Sequence, residues 1–240
     1  MIFDFPRTAV VIGLLFFVCI IPVNGQQNSF TAQVSKAYGP SQELVNGLQF
    51  YNKHLLVQGH PYFLDENFVN GSLILNGQEF SNVRIRYDIY SQHVELEYES
   101  FSGASNSLVT VNDHLDSFMN GDYWFKKLDL NGEQQFFQVI ETEQFSCYVY
   151  WKKTLERVNY SNFYGEQFTD VNPRYLIQLN GDIQDFKNRK TFAGSFHESR
   201  QKEIRRFLRQ KRFVFRKAPP GEIVRNMHAV SNLLNSEISP

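Results

Sequence analysis

Six histidines stand at 54, 60, 93, 114, 197 and 228 of a 240-residue chain, none at the close spacing of a metal-binding helix. His93 is the one set among carboxylates. On a strand it shares the charged side with Glu95 and Glu97, and Asp88 is near. An imidazole beside carboxylates can act as a tuned base or bind a divalent ion. The commoner use of such a row is a charged face turned to solvent, and that is the reading taken from the sequence. His114 and Asp116 repeat the pattern more weakly, on one side of an extended stretch.

The short signatures of established chemistries, GxSxG, GxxxxGK[ST], HExxH and CxxC, are all missing. Carbohydrate hydrolysis would need two carboxyl groups across a cleft, about 5.5 Å apart or about 6.5 to 9.5 Å apart, and the many Asp and Glu residues single out no pair. The catalytic residues are therefore unknown at this level, with no cofactor and no metal site expected. Cys147, in the strand-like run Phe145 to Trp151, reads as a small buried side chain and not as a reactive thiol. Asn70-Gly-Ser72 and Asn159-Tyr-Ser161 match the glycan acceptor pattern.

The elements that must position these residues are strands. From Gly59 short apolar runs alternate with turn signals, as in a β-meander. Val83, Ile85 and Tyr87 alternate with Arg84, Arg86 and Asp88, and Val94, Leu96 and Tyr98 alternate with His93, Glu95, Glu97 and Glu99. Each strand thus has an apolar and a charged face, the mark of half-buried antiparallel strands. Further strands are expected at 108–111, 123–125, 135–140, 145–151 and 175–179. Asn70-Gly71, Asn76-Gly77, Asn131-Gly132 and Asn180-Gly181 are expected turns, because Asn and Gly tolerate positive φ. The fold class is mainly β: a curved antiparallel meander or partly closed barrel with C-terminal helices.

Ser199 is placed to cap a helix reaching about Gln210, with Ile204, Phe207 and Leu208 on its apolar stripe. After Pro219-Pro220 a second helix is expected from Glu222 to Leu234, its Ile223, Met227, Val230 and Leu234 at helical spacing. Net charge is −1 but unevenly spread. Twelve Lys or Arg residues lie between Lys187 and Lys217 against Glu198 and Glu203, while residues 26 to 186 carry ten basic and twenty acidic side chains. The simplest use of the basic segment is to pair with the acidic strand surface; peripheral contact with an anionic surface is a second use, and a nucleic acid is not an expected partner.

Arg7, the apolar run Ala9 to Ile21, and Val23 and Gly25 before Gln26 have the layout of a cleavable signal peptide over residues 1 to 25. Val18 before Cys19 argues against a lipid anchor. The expected organisation is a leader at 1–25, a lead-in at 26–58, the meander at 59–186 and a basic, helix-containing element at 187–240.

The stretch from Gly59 to Tyr98, with its Gly-His-Pro-aromatic opening, Asn-Gly turn and Asn82-Val-Arg-Ile-Arg-Tyr-Asp88 segment, resembles a recurring pattern in uncharacterised exported proteins of Bacteroidetes bacteria. Lys202-Glu-Ile-Arg-Arg-Phe207 and the final apolar helix are similar in placement. The resemblance implies a periplasmic or envelope location and brings no activity with it. The function expected from the sequence is a noncatalytic envelope protein binding a protein, glycan or lipid-like ligand. The alternatives are a hydrolase using carboxylates from separate strands and a structural envelope protein.

Overall fold

The structure, a computed structural model, describes residues 48–49, 54, 56–99, 103–130, 132–160 and 163–236. The leader assigned to 1–25 and most of the lead-in to 58 lie outside these residues, as does Asn131. The described chain forms thirteen strands and three α-helices. The strands are β1 (Leu48–Gln49), β2 (Val69–Leu75), β3 (Gln78–Asp88), β4 (His93–Glu99), β5 (Ser105–Val109), β6 (Leu115–Asn120) and β7 (Tyr123–Leu130). They continue with β8 (Glu133–Glu141), β9 (Ser146–Tyr150), β10 (Leu155–Tyr160), β11 (Phe163–Phe168), β12 (Arg174–Leu179) and β13 (Asp182–Phe186).

Eleven of them make one sheet in the order β1-β5-β4-β3-β2-β6-β7-β8-β9-β12-β13, and β10 and β11 form a separate hairpin. Every strand pair is antiparallel. The chain walks outward from β2 to β5, returns through a 3-10 turn at Asn112–His114, and lays β6 on the free edge of β2. The outermost strands β1 and β13 do not pair, so the meander is open and the partly closed barrel is not formed.

Two Asn-Gly steps turn the chain as expected. Asn76 and Gly77 take φ of 48° and 78°, and Asn180 and Gly181 take 51° and 93°, the left-handed pair that suits a two-residue hairpin. Asn70-Gly71 does not turn. It lies inside β2 beside an irregularity in the register with β3, and a Cβ on Gly71 would meet the Met119 carbonyl oxygen of β6 at 2.0 Å. Glycine is there because two backbones approach too closely for any side chain.

One face of the sheet is apolar and aromatic. Leu73, Ile85, Tyr87, Leu96, Phe118 and Phe125 are buried in the core, and the Phe118 and Phe125 rings stack at 4.8 Å between centroids. Helix α1 (Arg189–Gly194) was not signalled by any apolar period; it is held by Asn188, whose side chain caps Lys190 and Thr191 while Thr191 returns the bond. Helix α2 (Glu198–Gln210) is capped by the His197 ring and not by Ser199, and it buries Ile204 and Leu208. Helix α3 (Pro220–Asn235) buries Ile223, Met227 and Val230. The packing joint is aromatic: Phe192 of α1 meets Phe145 and Phe186, and Phe215 meets Tyr175 and Phe186.

Candidate active site

Asp88 ends β3, the chain turns back over Ile89 to Gln92, and His93 begins β4 directly opposite it. Gln92 takes a φ of 58° to close this turn. Two residues along, Glu95 faces Arg86; two further, Glu97 faces Arg84. The period of two puts this row on the opposite face from Ile85, Tyr87, Val94 and Leu96. A third stretch joins at the turn end. Phe63 N donates to Tyr87 O at 2.9 Å and Ile89 N to Pro61 O at 3.0 Å, which sets Tyr62 beside Asp88 and makes a cross-strand row Tyr62, Asp88, His93.

The row of charges is not uniformly wet. Side-chain exposure is 50% and 30% for Arg84 and Glu97 but 16% and 0% for Arg86 and Glu95, and 19% and 5% for His93 and Asp88. The solvent-facing reading of His93 and its neighbours therefore holds only at the Glu97 end. At the other end Tyr62 and Phe68 cover the Arg86 guanidinium, with ring centroids 4.0 and 4.3 Å from its central carbon.

Each carboxylate is divided between two tasks. Asp88 Oδ1 accepts the backbone N–H groups of Tyr90 and Ser91, both at 2.8 Å. Glu95 Oε2 accepts from Arg86 Nη2 at 2.6 Å and Nε at 2.7 Å, with the Tyr62 hydroxyl at 3.5 Å. Arg86 is itself steadied by a bond from Nη1 to Glu66 O at 2.8 Å. The remaining oxygens converge on the imidazole: Glu95 Oε1 lies 3.3 Å and Asp88 Oδ2 3.7 Å from His93 Nε2. The outer partners thus fix the carboxylates so that one oxygen of each points to a common place.

The surroundings show how strongly this pocket of charge is felt. Burial, and then the negative charge of Glu95, push the Tyr62 hydroxyl well above its ordinary pKa. Burial lowers the Lys153 ammonium, with Asp170 and Asp88 opposing, and its Nζ donates to His60 O at 2.7 Å. His60 is lowered by burial and then by Lys153.

The other residues marked in the sequence serve the fold. Asp116 Oδ2 accepts Gly77 N at 2.8 Å and His114 O accepts Asn76 N at 2.8 Å, so that pair fastens a hairpin turn. Cys147 is buried in β9 and its thiol is pushed up by desolvation, away from reactivity. The sequence reading missed Tyr62, Phe68 and Lys153. Tyr62 and Phe68 stand in the marked stretch from Gly59 to Tyr98, Tyr62 in its Gly-His-Pro-aromatic opening, and Lys153 lies outside it.

No family model, curated protein or solved structure matches the chain. What can be said of its activity comes from the site, on an open antiparallel meander backed by C-terminal helices. That site corrects the expectation of a noncatalytic binding protein. Buried Asp88 and Glu95 beside a half-buried His93, on adjacent strands and with carboxylate oxygens aimed at one imidazole, are an arrangement suited to catalysis.

Proposed function

We propose that the chain is a hydrolase whose centre is Asp88, His93 and Glu95, carboxylates from two separate strands acting on a water molecule with an imidazole between them. The observation that supports this is the convergence of Asp88 Oδ2 and Glu95 Oε1 on His93 Nε2, while the other oxygen of each carboxylate is occupied by backbone or arginine. His93 is the most exposed of the three, so substrate approaches from its side and the carboxylates stand behind it. Water held at this centre gives up a proton to the carboxylate and imidazole group, its oxygen attacks the electrophilic centre, and the proton passes to the leaving group as that bond breaks.

The geometry argues against a glycosidic bond, and esters are the class to be tried first. A glycosidase places its carboxyl groups on either side of the bond, about 5.5 Å or more apart. Here the facing donor atoms all lie within 4.8 Å of one another, which leaves no place for a sugar linkage between them. The leader-like run at 1 to 25 supports action outside the cytoplasm.

The test is turnover of 4-nitrophenyl carboxylic esters, phosphate monoesters and phosphate diesters, with a 4-nitrophenyl glycoside as contrast. Hydrolysis of one ester class, lost in His93→Ala and Asp88→Asn but kept in His114→Ala, is expected. Turnover of none of the esters, or equal turnover by His93→Ala, contradicts the proposal.

A further inference from the structure

We infer that Asp88, His93 and Glu95 are three ligands of a divalent transition-metal ion. The inference deepens the hydrolytic reading of the same site and rests on it for the purpose of the ion. The donor atoms are one imidazole nitrogen and two carboxylate oxygens, a set that suits zinc or manganese. Donors about 2.1 Å from an ion at the corners of a tetrahedron are about 3.4 Å from one another. The distances of 3.3 Å and 3.7 Å from His93 Nε2 to the two oxygens bracket that edge. The third edge is within 4.8 Å, so a modest closing of the Asp88 and Glu95 side chains completes the face.

A second observation points independently to a cation. Asp88 is 4% exposed and Glu95 0%, and one oxygen of each lies within 4.8 Å of the other beside His93 Nε2, which stands 3.7 Å from Asp88 Oδ2. Oδ1 of the same carboxylate takes two backbone N–H groups, so the side chain cannot rotate Oδ2 toward them without losing those bonds. Two carboxylates held with one oxygen of each this close repel one another unless a positive charge lies beside them.

The supporting groups are those a metal site requires. Arg86 occupies Glu95 Oε2 and leaves Oε1 as a single-oxygen ligand, just as the Tyr90 and Ser91 amides leave Asp88 Oδ2. Three protein ligands leave a coordination position open on the side where His93 reaches solvent, the pattern of catalytic and not of structural zinc. An ion held there would act as a Lewis acid toward water and substrate oxygen.

The experiment uses the full chain, stripped with a chelator and dialysed, and measures uptake of Zn2+ and of Mn2+ alone by calorimetry and by metal analysis of the dialysed protein. One ion per chain is expected, with affinity reduced at least tenfold in His93→Ala and in Asp88→Asn and unchanged in His114→Ala. Circular dichroism and the thermal midpoint without metal show whether each variant remains folded. Because Asp88→Asn could disturb the turn after β3, His93→Gln, at the edge of the cluster, provides a second folded test. Absence of uptake by the wild-type chain, or full uptake by folded His93→Ala and His93→Gln, overturns the inference. If no ion binds but ester turnover still depends on His93, the inference falls and the hydrolytic reading stands.

Discussion

Glu95 and Arg86 face each other across β3 and β4 with Glu95 Oε2 2.6 Å from Arg86 Nη2, one step along the same strands from the like pair Arg84 and Glu97 at 3.0 Å. The chemistry of the two pairs is identical. Their surroundings are not, since Glu95 is fully buried and Arg86 is sandwiched by Tyr62 and Phe68. Burial converts a surface ion pair into a fixed part of the site.

Arg86→Met should therefore destabilise the protein by about 3 to 5 kcal/mol, because it leaves the Glu95 charge buried without its partner. Arg84→Met should cost only about 0 to 1 kcal/mol. Urea unfolding of both variants measures the difference. Adding Glu95→Gln to Arg86→Met should return part of the loss, and equal costs for the two arginine variants would contradict the assigned burial.

Much of this arrangement was legible in the sequence, and the reason it stopped short is physical. Alternation of Val83, Ile85 and Tyr87 with Arg84, Arg86 and Asp88 set the strand, its faces and the neighbours of His93. Alternation reports which side a residue points to, not what covers that side. The cover comes from Pro61 to Phe63 and Phe68, brought to the turn by backbone pairing that leaves no periodic trace. Strands β10 and β11 were missed for a related cause: they form a hairpin apart from the main sheet with no buried side chain from Leu155 to Asn159, so they have no apolar alternation to read, and β13, exposed from Asp182 to Asp185, is legible only through the Asn180-Gly181 turn that leads into it. The Asn70-Gly71 step was misread because its glycine answers a close approach from β6 that is distant in sequence.

That close approach is itself testable. Gly71→Ala places a Cβ 2.0 Å from the Met119 carbonyl oxygen and 2.9 Å from Ile85 Cδ1. The isoleucine can rotate, but the carbonyl belongs to the β2–β6 ladder. The cost should be at the upper end of overpacking, about 3 kcal/mol or more, read as a fall in the thermal midpoint. A shift no larger than that of Gly194→Ala, where a Cβ meets nothing within 4 Å, would contradict the geometry.

Cys147 supplies a check on the core. Its thiol is buried and shifted upward by desolvation alone, so in a Cys19→Ser chain a thiol-specific reagent at neutral pH should label the native protein only as fast as it opens. Labelling should accelerate steeply across the urea transition. Rapid labelling in buffer would mean that β9 is not covered as described.

Tyr175 joins the sheet to the C-terminal helices by donating its hydroxyl to Phe215 O at 2.6 Å in a buried setting. Tyr175→Phe keeps the ring against Phe186 and Phe215 but removes the donor from that carbonyl. A loss of about 1 to 3 kcal/mol is expected in urea unfolding. A neutral effect would show that the carbonyl is satisfied otherwise.

The last expectation concerns acid. His60 Nδ1 accepts the Tyr62 backbone N–H at 3.2 Å, so the fold uses the neutral ring with an unprotonated Nδ1. Burial, and then Lys153, hold its pKa in the folded protein below the ordinary 6.5. As pH falls through 6.5 the unfolded chain takes up a proton before the folded one, so stability is lost from there downward until the lowered folded value is also passed. Above 6.5 both states are neutral at this residue and its contribution is constant. Carboxylates add their own acid dependence, and the informative quantity is the difference between wild type and His60→Ala. Urea midpoints at pH 8, 6.5 and 5 should fall more steeply in the wild type than in the variant below pH 6.5. The same protonation removes the acceptor that holds Tyr62 over Arg86, which links this histidine to the site. Parallel midpoints across the whole range would show that His60 is protonated equally in both states and would remove that link.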